Sequence, residues 1–287
     1  MSAEIYYFSG TGNSLFVAKE LQKRLPDSSL IPIASLLDKE VLEAKAAIVG
    51  FVFPIHGMTV PVPVKKIIKI LDLSSAQYLF AIATRGGTTH NAFAAIDKIL
   101  KKKNKRLASC FSINMFNSDP KFETYGLPTA EKIKEVKLNV QNRLDVIQRI
   151  VQNRGTSREK DWEGVTFSAN RFINYVFERT ILLGMKILVE YGGLNNYFYA
   201  DEKCIGCGTC ERVCLSKKIK LINKKPLWQN NVKCYFCYAC LNFCPKQAVQ
   251  IKDKLYMKSY TPKNGRYPHP FATVEDIAAE KLFLAKT

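Results

Sequence analysis

CIGCGTCERVCL at residues 204–215 and CYFCYACLNFCP at residues 234–245 share one cysteine spacing. Cys204, Cys207, Cys210 and Cys214 recur thirty residues later as Cys234, Cys237, Cys240 and Cys244. Soft thiolates at this spacing hold iron–sulfur clusters, and where two clusters share such runs the fourth cysteine of each crosses to the other cluster. One 4Fe–4S cluster is therefore expected on Cys204, Cys207, Cys210 and Cys244. The other is expected on Cys234, Cys237, Cys240 and Cys214. Structural zinc takes two cysteines per knuckle and leaves the third and fourth without work. Crowded runs also suit a shared metal centre better than separate disulfides.

The two halves match outside the cysteines. Ile219 and Val249 each lie five residues past the last cysteine of their run, where a short apolar strand is expected to begin. Each half is one small unit related to the other by a pseudo-twofold axis. So short a module buries little apolar surface, and metal binding must supply much of its folding energy. The pattern resembles bacterial two-cluster ferredoxins. Leu215 departs from it, standing where the second run has Pro245.

The rest of the chain is long enough for a second domain, with 287 residues and 47% hydrophobic content. Eight of the nine cysteines lie in the two runs; Cys110 is left over in an apolar stretch and reads as a buried free thiol. MSAEIYYFSG enters a strand directly, without the pattern of a secretory signal, and no uncharged apolar run approaches a membrane span. A reducing cytoplasm is the expected location. The formal charge of +18 is spread along the chain as +9, 0, +6 and +3 over residues 1–154, 155–198, 199–253 and 254–287. Such a field favours an acidic redox protein as partner, an anionic small molecule, or peripheral contact with an anionic membrane. No nucleic-acid recognition module is present, so nucleic acid is not the expected partner.

At the amino terminus an apolar strand from Ile5 to Phe8 runs into Ser9-Gly10-Thr11-Gly12-Asn13-Ser14, and a helical pattern follows from Asn13 to Arg24. A strand, a hydroxyl-rich turn and a helix make an anion site, because backbone N–H groups and the helix dipole point at the ligand. No lysine follows the glycine, and the G-x-G-x-x-G spacing is missing, so neither a P-loop nor a dinucleotide turn is present. An ordinary capped turn is the plainer alternative.

Apolar runs at 46–53, 78–84 and 107–113, with a weaker edge candidate at 30–33, alternate with helical patterns near 62–72, 90–104 and 129–152. This alternation implies a parallel sheet with helices on both faces. Continuous rather than alternating apolar runs are what strands buried on both faces require. The stretch resembles a flavodoxin, and SGTGNS is similar to that family's phosphate loop for FMN. In such sheets the ligand sits beyond the carboxyl ends of the strands. The resemblance implies that two further loops flank the flavin ring: one with Pro54, Ile55, His56, Gly57 and Met58, the other with Thr84, Arg85, Gly86 and Gly87. Neither holds Trp, Tyr or Phe. His56 is a candidate donor to reduced flavin, against the plainer reading of a solvated loop histidine. Gly86 and Gly87 are expected to let the backbone approach the ring closely.

Residues 155–198 carry neither signature. Apolar residues from Phe167 to Val189 fall at helical spacing, and packing against one or both domains is expected, with a membrane surface as the alternative. Lys101-Lys102-Lys103-Asn104-Lys105-Arg106 closes a helix as a solvated terminus suited to the helix dipole. The last segment shows one short helical pattern, Val274 to Leu284.

The expected architecture is α/β: a flavodoxin-like doubly wound parallel sheet, plus a small α+β two-cluster ferredoxin domain. The divisions are a flavodoxin-like FMN-binding domain (1–154), a helical connector (155–198), the two-cluster ferredoxin domain (199–253) and a basic C-terminal tail (254–287). The whole arrangement resembles single-chain ferredoxin–flavodoxin fusions. That resemblance implies an electron-transfer iron–sulfur flavoprotein carrying two 4Fe–4S clusters and FMN. A flavin-dependent reductase with its own small substrate and a cluster-based redox-sensing regulator are the alternatives.

Overall fold

The computed structural model describes residues 2–56, 58–86, 89–161, 170–190, 197–253 and 258–282. Gly57 and Gly87, both expected at the flavin ring, lie outside the described residues.

Five strands make the central sheet: β1 (Ala3–Tyr7), β2 (Ser28–Pro32), β4 (Ile48–Pro54), β6 (Tyr78–Arg85) and β7 (Ser109–Asn114). All pair in parallel, in the spatial order β2-β1-β4-β6-β7. Counting only these five, the order is 2-1-3-4-5, the doubly wound order of flavodoxin-like folds. β3 (Leu42–Glu43) and β5 (Leu71–Asp72) form a separate two-stranded pair. The apolar runs of β4 and β6 are buried almost end to end, because helices cover both faces of the sheet.

Helices α1 (Asn13–Arg24), α2 (Val62–Ile70), α3 (Ala92–Leu100) and α4 (Ala130–Gln152) follow the sequence periodicities closely. In α4 the buried side chains are Val140, Leu144, Ile147 and Val151, a single stripe at three- and four-residue spacing. Thr129 starts this helix by accepting a hydrogen bond from the Lys132 amide at 3.3 Å. Arg24 ties α1 to α4 through Asp145 at 2.7 Å. Cys110 is fully buried, as expected, and burial pushes its thiol up to about 11.

Residues 155–161 belong to the sheet edge rather than to a connector. The Cys110 amide donates to the Ser157 carbonyl at 2.9 Å, and Glu159 N–H donates back to Cys110 at 3.1 Å. The Asp161 carboxylate accepts from the Phe93 and Ala94 amides at 3.2 and 2.9 Å, capping α3. Helix α5 (Arg171–Glu190) confirms the helical pattern but not the expected packing. Phe172, Tyr175 and Leu183 are 73%, 54% and 59% exposed, and a Cβ placed on Gly184 would touch nothing within 4 Å.

The cysteine-rich module is two crossed units. β9 (Ile219–Ile222) pairs antiparallel with β10 (Lys225–Trp228), while β8 (Phe198–Ala200) pairs with β11 (Val249–Ile251). β9 and β11 begin at Ile219 and Val249, as the repeat predicts. Short helices α6 (Thr209–Arg212) and α7 (Ala239–Asn242) carry the third cysteine of each run. Leu215 is 2% exposed and packs into the core of the parallel-sheet domain, so a branched apolar side chain serves where the second run has proline.

The C-terminal segment straps the two modules together and ends in α8 (Val274–Ala279). The His269 amide donates to the Thr11 carbonyl at 2.7 Å, and the Tyr260 amide to Lys121 at 3.0 Å. A capping box of Thr273 and Asp276 starts α8, and Asp276 also meets Lys19 of α1 at 2.6 Å. Among the described residues, no helix is long and apolar enough to cross a membrane.

Candidate functional site

The cysteines of one expected set gather around a single space. Cys204, Cys207, Cys210 and Cys244 line one small cavity. Burial pushes the Cys210 thiol up to about 12, and Cys244, Cys204 and Cys207 add to that shift as its nearest charges. In the second set, burial pushes Cys234 up to about 12 with Cys214 adding to it; burial also raises Cys240, with Cys214, Cys237, Cys234 and, from the first set, Cys210 adding to it. Thiols so buried become thiolates when a metal centre draws off their protons. Among the described residues, no three His, Cys, Asp or Glu converge as they would on one metal ion. Four cysteines around a cavity instead fit a cluster, whose thiolates sit at separate corners.

The repeat extends to the backbone. Gly206 and Gly208 adopt φ of 69° and 74°, and their counterparts thirty residues on, Phe236 and Tyr238, adopt 52° and 56°. Glycine takes this left-handed conformation freely, whereas an aromatic residue there is strained by about 1–3 kcal/mol. Phe236 and Tyr238 line a cleft of about 200 Å³ together with residues of the Ser9–Ser14 turn.

That cleft brings together most of the residues expected from sequence. Ser9, Gly10, Thr11, Asn13 and Ser14 line it, with Pro54, Ile55 and His56 from one loop and Thr84, Arg85 and Gly86 from the other. Gly12 and Met58 do not line it. Among the described residues, the amides of Gly10, Thr11, Asn13 and Ser14 donate no hydrogen bond, while Gly12 N–H is taken by Ser9 Oγ at 3.2 Å. Unpaired amides at the start of a twelve-residue helix are suited to an anion. Asn13 Oδ1 is buried without a partner, an acceptor suited to a ligand hydroxyl. The donor set therefore fits a phosphate joined to a polyol.

Gly10 sits at a close approach of two backbones. A Cβ there would lie 2.1 Å from the carbonyl oxygen of Cys237, so the turn meets the second cysteine run backbone to backbone. Cys237 itself lines the cleft. His56 is neutral: burial holds its imidazole down at about 4. Its Nδ1 lies 3.3 Å from the Tyr235 carbonyl, which makes Nδ1 the protonated nitrogen and leaves Nε2 an acceptor. His56, the candidate donor, therefore holds its one ring proton against the Tyr235 carbonyl.

Sequence reasoning missed the fourth wall. The loop after β7 contributes Phe116, Ser118 and Lys121, and Tyr197 enters from the start of β8. Ser118 accepts from Thr11 Oγ1 at 3.1 Å, and the Phe116 carbonyl accepts from Asn13 Nδ2 at 3.0 Å. Lys121 lies 2.8 Å from Asp119 and donates to the Tyr238 hydroxyl at 3.3 Å. In a sheet of this order the loops after every central strand share one end, a signal that includes the loop after β7.

Residues 195–249 match the family known as the 4Fe-4S dicluster domain. The chain joins a flavodoxin-like domain to a 4Fe–4S dicluster domain. Comparison with solved structures finds a short-chain flavodoxin associated with a non-canonical PDU bacterial microcompartment, at 15% identity over 54% of this chain and 99% of that one, TM-score 0.35. A variant of flavodoxin from Pseudomonas aeruginosa aligns at 17% identity over 53% of this chain and 99% of its own, TM-score 0.34. Comparison with curated proteins finds no match. The flavodoxin-like assignment stands on strand order, and the dicluster assignment on the cysteine runs.

Proposed function

We propose that this protein is an electron-transfer iron–sulfur flavoprotein holding two 4Fe–4S clusters and FMN. The observation that carries the reading is the single cleft lined both by the Ser9–Ser14 turn and by Cys237. When bound, clusters pass electrons singly and flavin takes one or two, so the pair links one-electron and two-electron partners.

Each part of the chain has a task in this scheme. The free amides of Gly10, Thr11, Asn13 and Ser14 hold the FMN phosphate, and Phe236 and Tyr238 supply the aromatic wall that the loops at Pro54 and Thr84 lack. Cys234, Cys237, Cys240 and Cys214 hold the inner cluster, in the wall of the flavin site. Cys204, Cys207, Cys210 and Cys244 hold the outer one. Cys207 is exposed, as is neighbouring Ile205 at 59%, so the outer cluster is the port for a partner. Lys203, Lys224, Lys225 and Lys246 are exposed around this port and favour an acidic redox protein. The neutral His56 adds no charge of its own to the cleft.

The relay order is tested by stopped-flow mixing of the anaerobic protein with a one-electron donor. Cys237→Ser should retain bound FMN and lose its rapid bleaching, whereas Cys204→Ser should slow electron entry. A Cys237→Ser protein whose flavin is reduced as fast as wild type contradicts the order.

A further inference from the structure

The two clusters' surroundings differ at one buried position. Thirty residues separate Lys218 from Ala248, and both are 1% exposed, each just before the strand that closes its half. The repeat thus places an ammonium group in one half where the other has a methyl. Lys218 Nζ donates to the carbonyls of Gln229 at 2.5 Å and Val232 at 2.7 Å, which hold it in place. Burial lowers its pKa, and Cys234 and Cys214, one cysteine from each run, oppose that from beside the Val232 carbonyl that holds it. Both belong to the inner set, the one whose Cys237 lines the flavin cleft.

We propose that Lys218 sets the reduction potential of the inner cluster, raising it above that of the outer cluster so that electrons run inward to the flavin. The inference rests on the two-cluster reading above. Four thiolates leave a 4Fe–4S centre with net negative charge, and each electron received adds one negative unit. A fixed cation beside the thiolates favours the reduced form, and more strongly where water is excluded. Lys281 adds to the effect from the surface side, since its charge also acts on Cys214. The outer set has Arg266 near Cys244, held by the carbonyls of Thr261, Asn264 and Val249, but there the Asp201 carboxylate offsets its charge. Lys218 is a positioning charge for electron transfer, not a ligand.

The test is an EPR-monitored redox titration of the anaerobic holoprotein, with iron and sulfide content measured first. Wild type short of two clusters would refute the two-cluster reading itself, before Lys218 is in question. Lys218→Gln keeps N–H donors for the two carbonyls and removes the charge; Lys218→Arg keeps the charge. The Gln variant should lower one potential by at least tenfold in the reduction equilibrium, 59 mV for a one-electron couple. The Arg variant should stay within twofold of wild type. A Gln variant with full iron and sulfide and unchanged potentials overturns the proposal. If neither variant assembles both clusters, Cys207→Ser in otherwise wild-type protein decides: the surviving inner cluster must titrate higher than the one lost, and the opposite order overturns it.

Discussion

His269 shows how a single side chain's chemistry is set by what surrounds it. Its ring is 5% exposed and stacks on Phe16 at 4.5 Å, and its Nδ1 accepts the Phe271 amide at 3.3 Å. Burial holds its pKa at about 4 rather than 6.5, so the unfolded chain takes up the proton first as pH falls. The neutral ring's contribution is complete above pH 6.5 and is lost as pH falls towards 4. Between pH 7 and pH 5 this costs about 2 kcal/mol. Urea unfolding of wild type and His269→Phe at both pH values checks it: the wild type should lose about 2 kcal/mol more than the variant, and equal losses contradict the assignment. Thr11→Glu places a carboxylate in the phosphate turn and should weaken FMN binding at least tenfold, about 1.4 kcal/mol, in a fluorescence titration. Unchanged affinity would remove the turn from the site. At this scale the two cysteine runs and the turn were legible in the sequence, because spacing and residue type carry their chemistry. It could not disclose His56 as an acceptor, since that depends on the Tyr235 carbonyl, 179 residues away.

Among the elements, the C-terminal strap was the least legible. Its short helix was visible from Val274 onward, but the strap's task lies in contacts with no sequence periodicity. Asn242 at the end of α7 makes the connection: its Nδ2 donates to the Ser118 carbonyl at 2.9 Å, and its Oδ1 accepts the Tyr267 amide at 3.1 Å. Asn242 is 3% exposed, so Asn242→Ala leaves a donor and an acceptor buried without partners. The expected loss is about 1–3 kcal/mol in chemical denaturation, with weaker flavin binding because Ser118 lines the cleft. A variant as stable as wild type would mean that water replaces both bonds. Gly10→Ala tests the contact of turn and cysteine run. Its Cβ would lie 2.1 Å from the Cys237 carbonyl, and overpacking of this kind costs about 1–3 kcal/mol. The variant should lower the thermal midpoint and slow flavin reduction together; loss of neither would show that the two backbones separate freely. Strands and helices of the parallel sheet were legible because both-face burial writes continuous apolar runs. Helix α5 was legible as a helix but not as an exposed one, since periodicity reports apolar content and not whether a partner surface is at hand.

For the whole molecule, the order of modules along the chain hides their arrangement in space. The phosphate turn and Cys237 are 227 residues apart between Gly10 and Cys237, yet they form one wall. Sequence supplied both modules and the likeness of their halves. What it lacked was the face each presents to the other, set by Gly10, by Leu215 in the neighbouring core and by the strap. On the proposed function, a shared wall makes the two modules one redox unit rather than two proteins on one chain. It also makes both clusters and flavin requirements of the same account. The most direct measurement is iron, acid-labile sulfide and released FMN per chain after anaerobic purification and reconstitution. About eight iron, about eight sulfide and one FMN are predicted. Zinc without sulfide, or a full complement of clusters with no flavin retained, would contradict it.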